Sequence, residues 1–161
     1  MSAQFSVRLA KEQHVFSAAH FITFGGDVCE RLHGHNYRVA VEVFGPLDEN
    51  RYVIDFIALR DELTKITNQL DHRMLLPTVH PLIRVTTQGQ EVEAVFIPDG
   101  RRWVFPLGDC ALLPLANTTA ELLAEYIGRQ LQGAIAAGSA PQRLRIEVDE
   151  NHGQWGVCEL T

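Results

Sequence analysis

The sequence predicts an α+β fold in which an antiparallel sheet carries two helices on one face. Alternating apolar and polar residues, the pattern of strands with one buried face, occur near both ends of the chain. Two segments carry apolar residues at three- and four-residue spacing, the pattern of amphipathic helices. The chain has 161 residues, enough to bury a core of its own, so residues 1–161 are expected to form one domain.

The first strands are predicted at residues 5–10 and 37–44. In the first, Phe5, Val7 and Leu9 alternate with less apolar residues, and in the second, valines occupy every other position from residue 39. Successive residues of a strand point to opposite faces, so each segment presents one apolar face.

Both helices have recognisable start signals. Asp55 is a suitable N-cap for a helix that runs to about Leu70. The polar residues 117–119 precede a second helix, predicted from about Ala120 to Ala136. Both segments therefore fit helices that bury one face against a sheet.

The remaining strands are predicted to be short. They lie at residues 82–85, 91–97, 102–105, 144–148 and 154–160. Pro98-Asp99-Gly100 is a strong turn signal, so residues 82–106 are expected to contain a hairpin. The stretch marked by Pro77 and Pro81 is expected to be irregular.

Composition excludes several classes of protein. The formal net charge of −6 argues against a general nucleic-acid binder, which needs a basic surface. No apolar run reaches the about 18 residues of a membrane span, and the first residues lack a signal-peptide pattern. A cytoplasmic location is therefore expected, with no membrane partner. Three widely spaced cysteines do not suggest a disulfide framework.

A metal site is predicted around Cys-Glu-Arg-Leu-His-Gly-His at residues 29–35. His33 and His35 lie two residues apart, so in a strand both imidazoles point to one side. His20, in the preceding apolar run, is the natural third ligand. Three histidines leave one position of a tetrahedral zinc ion open, as catalytic sites do, and imidazole-rich sites favour Zn2+ over calcium or magnesium.

Cys29, Asp71 and His72 are the other candidates for chemistry. A metal or an imidazolium nearby would lower the pKa of the Cys29 thiol, which makes it either a fourth ligand or a proton-transfer group. The pair Asp71-His72 would matter only if the fold brings it to Cys29, since a carboxylate can orient an imidazole that acts on a thiol. Glu150, at a strand end, is by itself more typical of a solvated acid.

Five motifs occur together here in an order that is typical of a known family. They are Phe16-Ser17-Ala18-Ala19-His20, Cys29-x-x-x-His33-Gly34-His35-Asn36-Tyr37, Val53-Ile54-Asp55-Phe56, Leu70-Asp71-His72 and Thr118-Thr119-Ala120-Glu121. On these motifs the chain resembles the 6-pyruvoyl-tetrahydropterin synthase family, and within it the bacterial 6-carboxy-tetrahydropterin synthases of queuosine biosynthesis.

The resemblance implies the tunnelling fold, a four-stranded antiparallel sheet with two helices on one face. It also implies a homohexamer, a dimer of trimers whose sheets close into a barrel, with active sites between subunits. Closure of that kind would cover sheet edges that are otherwise exposed. The segment 78–114 is longer than this family usually has, so the hairpin around residues 82–106 is expected to be an insertion.

The resemblance also implies roles for single residues. The zinc ligands would be His20, His33 and His35. Cys29 looks like the proton-abstracting thiolate, with Asp71 and His72 as relay partners from a neighbouring subunit.

The pterin-binding residues follow from the same resemblance. Glu150 falls where the family anchors the pterin ring, and Thr118 and Thr119 occupy its ring-contacting pair. The residue after Glu150 is Asn151 where the family usually has threonine.

The implied activity is that of a zinc-dependent lyase with a small pterin substrate. It would convert 7,8-dihydroneopterin triphosphate to 6-carboxy-5,6,7,8-tetrahydropterin and release acetaldehyde and triphosphate. The three-residue gap between Cys29 and His33 favours this branch, because the animal pyruvoyl enzymes typically have a longer gap. The alternatives are a 6-pyruvoyl-tetrahydropterin synthase or other pterin side-chain lyase, and a non-catalytic metal- or pterin-binding protein of the same fold.

Overall fold

The computed structural model describes residues 3–12, 14–135 and 141–161. The strands are β1 (Phe5–Leu9), β2 (Val15–His20), β3 (Thr23–Phe24), β4 (Val28–Cys29), β5 (His33–Gly45), β6 (Arg73–Pro77), β7 (Ile83–Gln88), β8 (Glu91–Phe96), β9 (Arg101–Pro106), β10 (Cys110–Leu113), β11 (Arg143–Asp149) and β12 (Trp155–Leu160). The helices are α1 (Phe56–Leu70) and α2 (Ala120–Ile135), with a 3-10 turn at Leu107–Asp109.

The main sheet has seven strands within the described residues, so the expected four-stranded sheet is wrong. Its order is β10-β6-β2-β5-β11-β12, and β1 also pairs with β5. The 13-residue β5 is long enough to pair with β2 along its first half and with β1 along its second half. Beyond β2, β6 and β10 extend the sheet in parallel orientation.

The strand predictions do not include β2, β3, β4, β6 and β10. Of these, β6 has the plainest physical reason. Residues 74–77 are all buried, so the segment lacks the polar–apolar alternation of a strand with one exposed face. Pro77 ends this strand, and β10 pairs alongside it. The predicted irregular stretch is found at residues 78–82, which belong to no strand or helix.

Helix α1 has the predicted bounds. The Asp55 carboxylate accepts a hydrogen bond from the Ile57 backbone N–H at 2.7 Å, as an N-cap does. Helix α2 begins at Ala120 as predicted, and its predicted last residue, Ala136, lies outside the described residues. The helices pack against each other and onto the same sheet. Their fully buried side chains include Leu59, Leu63, Leu123 and Ile127.

Residues 83–106 form a separate three-stranded antiparallel sheet, β7-β8-β9, rather than a single hairpin. The predicted turn at residues 98–100 joins β8 to β9, and Gly100 has a φ of 73° there. This inserted sheet packs on a second apolar cluster, in which Phe21, Cys29 and Met74 come from the main part of the chain. Among the described residues, no helix is long and apolar enough to span a membrane.

Helix α2 approaches strand β12 very closely at Gly156. A Cβ atom added to Gly156 would lie 2.5 Å from the carbonyl carbon of Ala120 and 2.5 Å from the nitrogen of Glu121. Only glycine allows this backbone contact. The contact sets the position of the helix start and of Thr118 just before it.

Candidate active site

Three histidines from two paired strands converge at one end of the main sheet. His20 ends β2 and lies opposite His33, the first residue of β5, in the register of the pair. His35 follows two residues later, on the same face of β5. One nitrogen from each ring lies within 4.8 Å of the other two. The structure thus brings together the three residues that the sequence predicts as metal ligands.

Backbone carbonyls set the tautomers of two of these rings. Nδ1 of His20 lies 3.0 Å from the carbonyl oxygen of Thr118, and Nδ1 of His33 lies 2.8 Å from that of Arg31. A carbonyl oxygen only accepts hydrogen bonds, so each Nδ1 carries the proton. Each Nε2 therefore keeps a free lone pair, as in metal-binding histidines whose other nitrogen donates to the protein.

Glu150 places a carboxylate directly against these lone pairs. Its Oε1 lies 3.2 Å from Nε2 of His20 and 3.8 Å from Nε2 of His35. In the neutral ring, whose proton is on Nδ1, Nε2 and the carboxylate are two hydrogen-bond acceptors that face each other, and only an added proton or another cation joins them; the contact with His20 lowers the pKa of Glu150. A cation between them would stabilise this arrangement.

The donor set fits a zinc ion. The His20 side chain is buried, yet its Nε2 has no hydrogen-bond partner among the described residues, although buried polar atoms are normally paired. Burial lowers the pKa of His35, which favours the neutral, metal-binding form of the imidazole. Three nitrogen donors leave the fourth position of a tetrahedral ion to another group, as in catalytic zinc sites.

Glu30 is a second acidic group at the cluster that sequence reasoning did not single out. Its Oε2 lies 3.9 Å from Nε2 of His33 and accepts a hydrogen bond from the Ile22 backbone N–H at 3.3 Å. Its own N–H donates to the Ile22 carbonyl at 3.0 Å. The sequence offered one signal for Glu30, its position: the residue follows Cys29 directly and precedes His33 by three residues.

Cys29 lies in the apolar cluster beneath the inserted sheet, with only 6% of its surface exposed. Its Sγ is 3.5 Å from the Glu30 carbonyl oxygen. Burial raises the pKa of the Cys29 thiol, the carboxylates of Asp99 and Glu30 add to this, and the Arg101 guanidinium opposes it. The thiol is therefore mainly protonated at neutral pH.

Asp71 and His72 lie at the end of α1, and no hydrogen bond among the described residues joins them to Cys29. Asp71 Oδ1 accepts from the Ser17 N–H at 2.8 Å, and Asp71 Oδ2 lies 2.8 Å from Nδ1 of His72. The Ser17 hydrogen bond lowers the pKa of Asp71, and His72 acts in the same direction. The His72 side chain is 81% exposed, which leaves it accessible to a second molecule.

Thr118 and Thr119 sit at the start of α2. The Thr118 side chain is fully buried, and its hydroxyl donates to the Phe21 carbonyl at 3.3 Å. Its contact with the site is through its backbone carbonyl, which holds His20. Thr119 is half-buried, and its carbonyl accepts the first hydrogen bond of the helix, from the Leu123 N–H.

Two open cavities adjoin the cluster. One, of about 540 Å³, is lined by residues that include His35, His72 and Arg73. The other, of about 520 Å³, is lined by residues that include His35, Arg38 and Glu150. His35 thus lies between the predicted relay pair and the predicted ring anchor.

Comparison with known proteins matches most of the chain. Residues 8–160 match the family model described as 6-pyruvoyl tetrahydropterin synthase. A Methanocaldococcus jannaschii protein named putative 6-carboxy-5,6,7,8-tetrahydropterin synthase is 31% identical over 146 residues, covering 89% of this chain and 87% of the relative. The dihydroneopterin monophosphate aldolase of Pyrococcus furiosus is 37% identical over 60 residues, covering 37% of this chain and 50% of the relative.

Solved structures match the whole fold. The 6-pyruvoyl tetrahydropterin synthase of Plasmodium falciparum has a TM-score of 0.90 and 28% identity, with 99% of each chain covered. Two structures of the Plasmodium vivax enzyme, at the same TM-score and 26% identity over 99% of each chain, are described as catalytic-residue mutants with glutamate changed to alanine or cysteine. Coverage this complete means that the inserted sheet has a counterpart in these structures.

Proposed function

Because the chain belongs to the 6-pyruvoyl tetrahydropterin synthase family, whose members are lyases, we propose that it converts 7,8-dihydroneopterin triphosphate to 6-carboxy-5,6,7,8-tetrahydropterin, releasing acetaldehyde and triphosphate. The observation that carries the proposal is the convergence of three imidazoles with free lone pairs beside a carboxylate. The name of the Methanocaldococcus jannaschii relative supports the carboxy product, which would serve queuosine biosynthesis.

The metal site in this proposal consists of Nε2 of His20 and His33 and a ring nitrogen of His35. Zinc, when bound there, would supply a Lewis acid for the side-chain hydroxyls of the substrate. The carbonyls of Thr118 and Arg31 keep two of the rings in the metal-binding tautomer.

Cys29 is proposed as the thiol that moves protons between the pterin ring and its side chain. Its raised pKa means that a base has to accept the thiol proton before the thiolate can act. Asp71 and His72 supply that base in the proposal, with the aspartate orienting the imidazole. Since no hydrogen bond in the described residues joins this pair to Cys29, we assign the role to the pair of a neighbouring subunit in a homohexamer.

Substrate binding is assigned to the second cavity. Glu150, which lines this cavity, would accept hydrogen bonds from the guanidine-like edge of the pterin ring. Thr119 lies outside the lining of the cavity, and its contact with the ring is proposed from the family resemblance alone. Thr118 is proposed to act through its carbonyl, which orients His20, because its hydroxyl is already bonded to the Phe21 carbonyl.

A second candidate function is cleavage of dihydroneopterin to a hydroxymethyl product. The favouring observation is Glu30, whose carboxylate lies 3.9 Å from Nε2 of His33 and can act as a general base there. The aldolase name of the Pyrococcus furiosus relative supports this candidate. A glutamate is described as a catalytic residue in the Plasmodium vivax 6-pyruvoyl tetrahydropterin synthase, which supports a catalytic role for Glu30 in either candidate.

Product analysis by mass spectrometry separates the candidates. We expect the purified zinc-loaded protein to turn dihydroneopterin triphosphate into the carboxy product, with acetaldehyde released in equal amount. Cys29→Ala is expected to keep the zinc and lose this product, and Glu30→Gln is expected to retain it. A hydroxymethyl product that disappears in Glu30→Gln would establish the second candidate instead. Zinc binding with no product at all would leave a non-catalytic metal- or pterin-binding protein.

A further inference from the structure

Arg101, at the start of β9, joins the inserted sheet to the segment that carries Cys29 and Glu30. Its Nη2 donates to the Cys29 carbonyl at 3.1 Å, and its Nη1 donates to the Glu30 carbonyl at 3.5 Å. Two hydrogen bonds from one guanidinium to consecutive carbonyls restrain the backbone at Cys29 and Glu30, and the shorter bond, to Cys29, is the stronger.

The guanidinium is itself held in place. Asp99 Oδ2 accepts from Nε of Arg101 at 2.6 Å, and Asp99 Oδ1 accepts from the Arg101 backbone N–H at 2.9 Å. The guanidinium carbon lies 5.4 Å from the ring centre of Phe96 and 5.8 Å from that of Trp103. These contacts hold the Arg101 side chain in one conformation, so less side-chain entropy is lost when it forms its hydrogen bonds to the carbonyls of Cys29 and Glu30.

The same aromatic cluster reaches the metal site. Trp103 stacks on Phe21 with ring centres 4.4 Å apart, and Phe21 follows the ligand His20 directly. The segment between Phe21 and Glu30 contains only β3 and β4, a hairpin of two residues per strand. So short a hairpin has little stability alone, and the inserted sheet supplies the missing contacts.

We propose that Arg101 is a positioning residue for the reaction, which fixes the backbone at Cys29 and Glu30 and so holds the Glu30 carboxylate beside His33 and the Cys29 thiol in the apolar cluster that contains Phe21. This inference rests on the function proposed above for that segment. In catalysis, a displacement of about 1 Å at a reacting group can reduce the rate on the order of a hundredfold. The inserted sheet thereby becomes part of the active site without contributing a reacting group.

Three variants test the role of the guanidinium. Arg101→Ala removes it, Arg101→Lys keeps the charge without the two parallel donors, and Arg102→Ala is the matched control. Arg102 is the next residue of β9, its side chain is 62% exposed, and it pairs with Glu93. We expect both Arg101 variants to lower kcat by about tenfold or more, with the zinc content and KM nearly unchanged. Arg102→Ala should match the wild type. Wild-type kcat in Arg101→Lys would overturn the positioning role, because charge alone would then suffice.

Hydrogen exchange gives a readout that does not need turnover. The Glu30 N–H donates to the Ile22 carbonyl, so its exchange reports the order of the segment. We expect it to exchange at least about tenfold faster in both Arg101 variants, with amides of α1 unchanged. Unchanged exchange at Glu30 would overturn the inference. Faster exchange in a protein without pterin turnover would overturn the proposed function and support the anchoring of the segment.

A milder variant covers the case in which Arg101→Ala does not fold. Asp99→Ala removes the carboxylate that orients the guanidinium and leaves Arg101 in place. We expect the same changes, smaller in size, in exchange at Glu30 and in kcat. If Asp99→Ala leaves both at the wild-type value, the inference is wrong.

Discussion

Replacing Gly156 by alanine is expected to displace the start of helix α2 and, through it, the histidine cluster. The added Cβ would lie 2.5 Å from the carbonyl carbon of Ala120 and 2.7 Å from its Cβ. Carbon atoms at ordinary contact are separated by about 3.5–4.0 Å, so the helix start has to shift by roughly 1 Å. The contacted atoms belong mainly to the backbone, so no rotation of a side chain relieves the overlap.

The size of the effect follows from this overlap. Forcing an extra methyl group into a packed site costs about 1–3 kcal/mol of unfolding free energy. For a chain of this length, each kcal/mol lowers Tm by about 2–4 °C, so a total of about 2–12 °C is expected. The shift also moves the Thr118 carbonyl, which holds Nδ1 of His20. Loss of such an outer partner typically weakens metal binding about 10–100-fold.

Thermal unfolding and zinc titration test both consequences. Gly133→Ala is the matched control, since it lies in α2 with no atom within 4 Å of the added Cβ. This control should gain about 0.5–1 kcal/mol, because alanine is the better helix former. If Gly156→Ala unfolds at or above the wild-type temperature, the close approach of α2 to β12 does not exist as described.

Three further changes probe the fold around the site. Asp55→Ala removes the N-cap of α1 and should cost about 1 kcal/mol, seen as a lower urea midpoint. Asp149→Ala removes the carboxylate that accepts from the N–H groups of Gly153 and Gln154, and should cost about 1.5–3 kcal/mol in the same assay. His14 is fully buried, and burial lowers the pKa of its imidazole. Below the unfolded-state pKa of about 6.5, the unfolded chain binds a proton that the folded protein does not, so the free energy of unfolding falls as the pH falls. His14→Phe should therefore reduce the loss of stability between about pH 6.5 and 5 by up to about 1.4 kcal/mol per pH unit; the same pH slope as in the wild type would contradict this.

Structural features that are set by residues close together in the sequence were predictable. The cap at Asp55 and the helical spacing that follows locate α1, and the structure confirms its bounds at Phe56 and Leu70. The two-residue spacing of His33 and His35 likewise places both rings on one side of β5, because side chains alternate along a strand. The family itself was evident from the order of the motifs, and the family match confirms it.

Elements buried on both sides were not predictable in this way. The residues of β6 carry no alternation, since neighbouring parts of the chain cover both of its faces. The number of strands in the main sheet depends on β6 and on β10, which pairs with it, and on how β1 and β2 share one edge of β5. None of these pairings is encoded in the local pattern of either partner.

The sequence by itself determined the local features of this protein: which segments are helices and that His33 and His35 share a face. The tertiary structure alone decided that His20 lies opposite His33, that Glu150 faces the same nitrogens, and that Arg101 holds the segment at Cys29. The physical reason is the distance along the chain over which each interaction acts. Caps and periodicity act over a few residues, whereas these contacts join groups far apart in the chain and exist only once strand register and packing are set.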